Sequence, residues 1–234
     1  MIRMRRERQI LLIDADDTLW ENNVYFERAI EGFYELVAPG AADRAAVREC
    51  INQEERAVIA EMGYGLASFQ VALRRAFQVV APERWNREAA TAVEALAQRI
   101  AGEGIEFLPD AVETLRYLAP RHRLRLLTKG DFAEQSRKVE LSGVGAWFEH
   151  VEVVPEKDEA VYRAQLAQVG APPERCWMIG NSPKSDINPA LAAGMNAVFI
   201  PHPQTWVLEH DAIAACADGR CLELPAFRDL QVHF

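Results

Sequence analysis

The sequence contains no long uninterrupted run of apolar residues. Its first apolar run, Ile10 to Ile13, ends directly at a carboxylate, whereas a membrane-spanning helix needs about 20 apolar residues. We therefore expect neither a secretory signal nor a membrane span. The arginines before this run are predicted to form a solvated terminus; they are Arg3, Arg5, Arg6 and Arg8.

The sequence also lacks the cysteine patterns of disulfide-rich and zinc-binding proteins. Its cysteines form no Cys-x-x-Cys pair and have no histidine spacing suited to zinc. Cys176 falls in an apparent core strand, and this usage suits a reducing, cytoplasmic location. The four cysteines are Cys50, Cys176, Cys216 and Cys221.

Basic residues are fewer than acidic ones, with 26 lysines and arginines against 35 aspartates and glutamates. The formal net charge is -9 at pH 7, which argues against a general nucleic-acid binder, because such proteins meet phosphates with clustered lysine and arginine. With 234 residues and 50% hydrophobic content, the chain can bury the core of one large or two modest domains. We expect no nucleic-acid partner and no membrane.

A stretch from about Tyr25 to Gly104 has no convincing strand. Its apolar residues recur at steps of three and four, as in amphipathic helices. Loop signals divide it into about four helices inserted after the first strand. The breaks are Pro39-Gly40, Gly63-Tyr64-Gly65 and Ala81-Pro82-Glu83.

After Gly104, strand and helix patterns alternate. Such alternation predicts an α/β fold with a doubly wound, parallel, Rossmann-like sheet. The predicted strands after the first are Leu124–Thr128, Val151–Val154, Cys176–Ile179 and Ala197–Ile200. The predicted helices are Pro109–Leu118, Phe132–Leu141, Glu159–Val169 and Asn188–Ala193.

Polar residues follow the predicted strands at the edge where such sheets build their sites. Asp14 and Asp16 follow the first strand, and Thr128-Lys129-Gly130 ends the second. Lys157 lies just beyond the third, and Gly180-Asn181-Ser182 leads to Asp186 after the fourth. Carboxylates, a hydroxyl and a lysine are thus predicted to converge.

In these motifs the chain resembles the haloacid dehalogenase (HAD) superfamily, most of whose members are magnesium-dependent phosphohydrolases. Asp14-Ala15-Asp16-Asp17-Thr18-Leu19 matches the first motif and Thr128 the second, while Lys157 matches the third and Gly180-Asn181-Ser182 to Asp186 the fourth. The resemblance implies an α/β core of residues 1–19 and 107–234. Residues 20–106 would form an inserted all-helical cap domain that closes over the site and selects the substrate.

The resemblance implies a phosphatase that hydrolyses a small-molecule phosphomonoester through an aspartyl-phosphate, so the expected partner is a small phosphorylated substrate. Asp14 would be the nucleophile, and Asp16 would protonate the leaving oxygen and later deprotonate water. Lys157 would pair with Asp14 and the phosphoryl group and lower the pKa of the carboxyl. Thr128 and main-chain N–H groups through Lys129 would bind the phosphoryl oxygens.

The implied cofactor is Mg²⁺, which prefers oxygen ligands and keeps several waters. Its ligands would be Asp14, Asp186 and the carbonyl of Asp16. Two residues depart from the usual pattern. Asn181 stands where aspartate is frequent, so we expect weaker metal binding, with its amide oxygen holding a metal-bound water. Asp17 replaces a frequent glycine and is expected to face the turn or solvent.

Other functions stay open from the sequence alone. A haloacid dehalogenase would share the attacking aspartate but needs neither metal nor a proton for an alcohol. A phosphomutase would keep the same motifs and differ in the acceptor. A non-enzymatic binding module is disfavoured because every core chemical position is filled. Neither the substrate nor the oligomeric state can be predicted from these motifs.

Overall fold

The structure is a computed structural model that describes residues 8–37, 43–214 and 219–234. Some sequence-based predictions fall outside the described residues. They are those for Arg3, Arg5, Arg6, Pro39-Gly40 and Cys216.

The chain divides into two compact units. One consists of Met1–Glu21 with Ile105–Phe234, and the other of Asn22–Gly104. The boundaries drawn from the sequence, at residues 20 and 106, lie close to these. The second unit is therefore an insertion between the first strand of the α/β unit and the remainder.

The inserted unit is helical throughout its described part. A buried apolar cluster joins its helices, with Phe33 and Phe77 packed edge to face at 6.0 Å between ring centroids. The loop Gly63–Gly65 separates the second helix from the third, and a short 3-10 turn, Pro82–Arg84, precedes the fourth, as the sequence predicts. The helices are α1 (Asn23–Val37), α2 (Arg44–Met62), α3 (Leu66–Val80) and α4 (Arg87–Gly102).

The other unit is built on a parallel sheet whose strand order is β3-β2-β1-β4-β5-β6 among the described residues. This confirms the predicted doubly wound α/β fold. The strands are β1 (Ile10–Ile13), β2 (Arg123–Lys129), β3 (His150–Val154), β4 (Cys176–Gly180), β5 (Asn196–Phe199) and β6 (Cys221–Glu223). The helices are α5 (Ala111–Leu118), α6 (Phe132–Ser142), α7 (Glu159–Val169), α8 (Asn188–Ala192) and α9 (Leu230–His233).

Strand β1 lies in the middle of the sheet because its side chains are apolar on both faces. Leu11 and Ile13 join one buried cluster, while Ile10 and Leu12 join another on the opposite face. Since β1 pairs with both β2 and β4, the carboxyl ends of these three strands meet at one edge. This is where open α/β sheets place their sites.

No helix within the described ranges is both long and apolar enough to cross a membrane. Cys176 is buried in β4, as the sequence predicts, and it is a free thiol like Cys50 and Cys221.

Candidate active site

Three charged residues from distant parts of the sequence meet beyond the end of β1. The Lys157 Nζ donates hydrogen bonds to Asp14 Oδ1 at 2.5 Å and to Asp186 Oδ1 at 2.8 Å. The Lys157 side chain is only 2% exposed and that of Asp186 only 1%. The structure thus places a single ammonium between two buried carboxylates.

Each member of this group is held by the backbone around it. The Asp14 N–H donates to the Ile179 carbonyl of β4 at 2.9 Å, which fixes the turn after β1. Lys157 lies in the loop between β3 and α7, next to Asp158, whose carboxylate accepts from the Val161 N–H and caps α7. The position of Lys157 therefore follows from the start of α7.

Asp186 lies on a π-helical turn, Pro183–Ile187, that follows β4. Its Oδ2 accepts from the Ser182 N–H at 3.0 Å. Gly180 passes so close that a Cβ at this position would overlap the Asp186 carboxylate. The glycine is required here by the close approach of the carboxylate to the strand end.

Thr18 completes the surroundings of Asp14, although the sequence analysis gave it no role. Its hydroxyl donates to Asp14 Oδ2 at 2.9 Å and also lies 3.4 Å from Asn181 Oδ1. Asn181 Nδ2 donates to Thr205 Oγ1 at 3.2 Å. The segment around Thr205 thus reaches the same edge of the sheet, and it orients the Asn181 amide.

Electrostatics within the buried group differ from the expectation based on the sequence. Burial raises the pKa of Asp14 to about 7; Lys157 counteracts this, while Asp186 and Asp16 add to it. Burial also opposes the charge of Lys157, but the two carboxylates outweigh it and raise the pKa of the ammonium. Lys157 thus lowers the pKa of the Asp14 carboxyl, as expected, but burial outweighs its effect.

The donor set fits a divalent cation. Two buried carboxyl groups share one ammonium, so the group has one more acidic than basic side chain. Carboxylate oxygens have lone pairs for a ligand beyond their present hydrogen bonds. Hard oxygen donors of this type suit Mg²⁺ better than softer metals.

Asp16 makes a separate set of contacts. Lys138 Nζ lies 2.9 Å from Oδ1 and 2.8 Å from Oδ2; Trp20 Nε1 donates to Oδ1 at 2.8 Å and Gln135 Nε2 to Oδ2 at 2.9 Å. Burial opposes ionisation, but the Lys138 ammonium and these hydrogen bonds outweigh it and lower the pKa of Asp16. The surroundings of Asp16 therefore favour its carboxylate form.

Thr128 and Lys129 end β2 at the same edge. The Thr128 hydroxyl is 3.3 Å from Gln135 Oε1, which is long for a hydrogen bond from a hydroxyl. A better acceptor can therefore take the place of Gln135. The Lys129 ammonium instead pairs with Glu209 at 2.7 Å and with Ser185 Oγ at 2.8 Å. Its side chain is thus engaged in a second network, and the predicted role of its main-chain N–H stays a prediction.

Glu209 is a buried member of that second network that the sequence analysis did not identify. Its carboxylate accepts from Ser182 Oγ and from Ser185 Oγ as well as from Lys129. Burial opposes its charge, but Lys129 and the hydroxyl groups outweigh this and lower the pKa of Glu209. A single glutamate in a loop carries no motif, so the sequence offered no signal for it.

Asp17 was expected to face either the turn or solvent, and its burial excludes the second of these. Its side chain is buried rather than facing solvent, and its φ of 58° lies in the left-handed region. Glycine and aspartate both tolerate that conformation. Asp17, Glu21 and His202 each offer a ligand atom within 4.8 Å of the others, a grouping that the sequence did not indicate.

Comparison with known families explains this arrangement. Residues 9–194 match the family model for haloacid dehalogenase-like hydrolases. The chain belongs to this family. The match covers β1 to α8, and it therefore includes all four motif regions of this hydrolase. Comparison with curated proteins gave no significant match.

Solved structures agree on the fold of this HAD hydrolase. A haloacid dehalogenase-like family hydrolase from Xanthomonas campestris has a TM-score of 0.82 and 26% identity, covering 97% of this chain and 94% of that one. The HAD hydrolase YfnB from Bacillus subtilis, described as bound to magnesium, has a TM-score of 0.66 and 18% identity, with 97% and 99% covered. L-2-haloacid dehalogenase from Xanthobacter autotrophicus has a TM-score of 0.62 and 16% identity, covering 96% of this chain and 97% of that one.

Proposed function

We propose that this HAD hydrolase is a magnesium-dependent phosphatase that hydrolyses a small phosphomonoester through an aspartyl-phosphate on Asp14. The observation that carries the proposal is the buried group of Asp14, Lys157 and Asp186 with the carboxylate of Asp16 two residues from the nucleophile. A phosphate monoester carries negative charge that repels an attacking anion. A site for it therefore needs a nucleophile together with positive charge and a proton source.

In the first step, a carboxylate oxygen of Asp14 forms a bond to phosphorus while the bond between phosphorus and the ester oxygen breaks. Lys157, which contacts Asp14 at 2.5 Å, offsets the charge that develops on the phosphoryl oxygens. Thr128 donates its hydroxyl to one of these oxygens instead of to Gln135. The ester oxygen leaves as an alcohol after it takes a proton from Asp16.

In the second step, Asp16 removes a proton from water, which attacks phosphorus and releases phosphate and the Asp14 carboxylate. Asp16 has a lowered pKa, so its carboxylate form suits this half of the reaction directly. For the first half it must take up a proton, and the negative charge of a bound phosphate raises its pKa in that direction. The two carboxyls thus have different roles because their surroundings differ.

Asp14, Asp186 and the carbonyl of Asp16 would hold Mg²⁺. When bound, the ion supplies Lewis acidity that offsets phosphoryl charge. Asn181 is neutral, so it adds no charge to this group and we expect a modest affinity for the ion.

A dehalogenase is the alternative, because several structural neighbours bear that name, including the Xanthobacter autotrophicus enzyme and the L-2-haloacid dehalogenase RSc1362. In that reaction Asp14 would attack carbon and displace halide. Halide leaves without a proton, so the dehalogenation would need neither Asp16 as an acid nor a metal ion held by Asp186. The presence of both residues supports the phosphatase.

The first prediction concerns the reaction itself. We expect magnesium-dependent phosphate release from para-nitrophenyl phosphate and from some member of a panel of nucleotides, phosphoglycolate and sugar phosphates. Chelation with EDTA should reduce the rate at least about tenfold. The control is chloride release from chloroacetate in EDTA, which we expect to be absent. Chloride release without phosphate release would establish the dehalogenase instead.

A second prediction concerns the strand end beside Asp186. In Gly180→Ala, the new Cβ overlaps the Asp186 carboxylate, so either the carboxylate or β4 must shift. A displacement of about 1 Å at a reacting group costs about 100-fold, and we expect a loss of about 10- to 100-fold in kcat/KM for para-nitrophenyl phosphate. Gly104→Ala is the control, because no atom lies within 4 Å of an added Cβ there. Equal activity of the two variants would show that the position of Asp186 is unimportant.

A further inference from the structure

Helix α6 presents two side chains to the acid and base of the proposed reaction. Gln135 and Lys138 are three residues apart, so they project from the same face of the helix. Both side chains donate to the carboxylate of Asp16, so each oxygen of this carboxylate accepts from α6. The N-terminus of α6 is fixed by Asp131, which accepts from the Glu134 N–H at 3.0 Å.

Gln135 connects Asp16 to the residue expected to bind the phosphoryl group. Its Nε2 donates to Asp16 Oδ2 at 2.9 Å, and its Oε1 lies 3.3 Å from the Thr128 hydroxyl. The side chain is buried and uses both ends of its amide in this bridge. The bridge links the ends of β1 and β2 through one residue.

The backbone next to Thr128 leaves room for this amide. A Cβ on Gly130 would lie 3.0 Å from Gln135 Nε2 and 3.1 Å from its Cγ, and the Gly130 φ of +145° is unfavourable for other residues. The turn after β2 therefore approaches the Gln135 side chain directly. This supports a specific placement of Gln135 rather than an incidental surface contact.

We propose that Lys138 and Gln135 are positioning residues for catalysis, which hold the Asp16 carboxylate towards α6 and set its orientation for proton transfer. Asp16 has 19% of its side chain exposed, so it needs contacts to keep a single orientation. Trp20 supplies a contact on one oxygen only, whereas the α6 pair contacts both. A carboxylate fixed in this way loses little freedom when the reaction begins.

The proposal rests on the proposed phosphatase function, and its test separates the two. Phenyl phosphate and para-nitrophenyl phosphate have similar shapes, but the phenolate of the first is the poorer leaving group and depends more on a proton donor. If Lys138 acts through Asp16, Lys138→Met should lower kcat for phenyl phosphate about 10- to 100-fold. The loss for para-nitrophenyl phosphate should be smaller, and KM should change less than about twofold.

The decisive comparison adds Lys138→Met to Asp16→Asn. Residues that act as one unit show strongly non-additive effects, so we expect little further loss in the double variant. Lys138→Arg, which keeps a donor, should recover part of the activity. Gln135→Ala should behave like Lys138→Met, with a smaller loss. Arg137 is an exposed basic residue on the same helix, so Arg137→Met controls for the loss of one positive charge.

Additive losses in the double variant, or equal losses on the two substrates, would overturn the positioning role while leaving the phosphatase intact. The same holds if Lys138→Met matches Arg137→Met in activity. Failure of the wild-type protein to release phosphate from either substrate would instead refute the proposed function. Circular dichroism and thermal unfolding of each variant distinguish a loss of folding from a loss of positioning.

Discussion

Replacement of Asp14 by asparagine is expected to reduce phosphate release by a factor of about 10,000 or more. A neutral amide cannot attack phosphorus, and no other carboxylate contacts Lys157 Nζ in the described residues apart from Asp186. The Asp186 carboxylate is held by the Ser182 N–H and lies close against Gly180. Single-turnover phosphate release measures the effect, because it removes contributions from product release.

The same variant has a second expected result that does not depend on turnover. The pKa of Asp14 is raised from an ordinary 3.8 to about 7 in the folded protein, so the folded state keeps a proton that the unfolded state loses. The free energy of unfolding of the metal-free protein therefore falls as pH rises from about 4 to about 7, and above that range this contribution is fully lost. In Asp14→Asn this fall should largely disappear, leaving the variant more stable than wild type at pH 8 by a few kcal/mol.

Urea unfolding in EDTA at several pH values measures this difference. A variant that is less stable than wild type at high pH would show that the ion pair with Lys157 outweighs burial. An unstable variant with low activity would also weaken the conclusion about the nucleophile. A stable and inactive variant is the combination that supports the assignment.

Replacement of Lys157 by methionine is expected to affect stability and activity together. It would leave Asp14 and Asp186 buried without the ammonium that joins them. Breaking a buried ion pair by removing one partner costs about 3–5 kcal/mol, and the loss should be largest at high pH, where Asp14 is ionised. Added Mg²⁺ should recover much of the stability, because the cation replaces the missing positive charge.

The activity of Lys157→Met should not recover when added Mg²⁺ restores its stability. Lys157 offsets charge on the phosphoryl group as well as on Asp14, and the loss of such a group costs on the order of 100- to 1000-fold in kcat. Lys184→Met is the matched control, since Lys184 is exposed and donates only to the Leu208 carbonyl at 3.2 Å among the contacts described. If Lys157→Met unfolds at the same urea concentration as Lys184→Met, the buried group contributes little.

The outline of the site could be predicted because each charged residue follows a recognisable strand. The apolar residues of β1 place Asp14 at the edge of the sheet, and parallel neighbours β2 and β4 bring the ends of their own motifs to the same place. Strand β6 could not be predicted in this way. Its three residues are too few to show an alternation, and its place in the sheet depends on pairing with β5.

The residues that support the site were harder to recognise than the site itself. Gln135 and Lys138 look like ordinary polar positions of a surface helix, and their contact with Asp16 depends on how α6 packs beside β3 in the folded chain. Glu209 is far along the chain from the serines that it binds. The raised pKa of Asp14 depends on burial, which no local motif encodes.

The most direct test of the account is the identification of a phosphorylated residue during turnover. Wild-type protein with Mg²⁺ would be mixed with the radiolabelled form of its best phosphate-ester substrate and quenched in acid within one turnover. We predict a label that hydroxylamine removes, on the proteolytic peptide containing Asp14, and no label in Asp14→Asn. Phosphate release without any labelled peptide, or a label on a peptide lacking Asp14, would contradict the account.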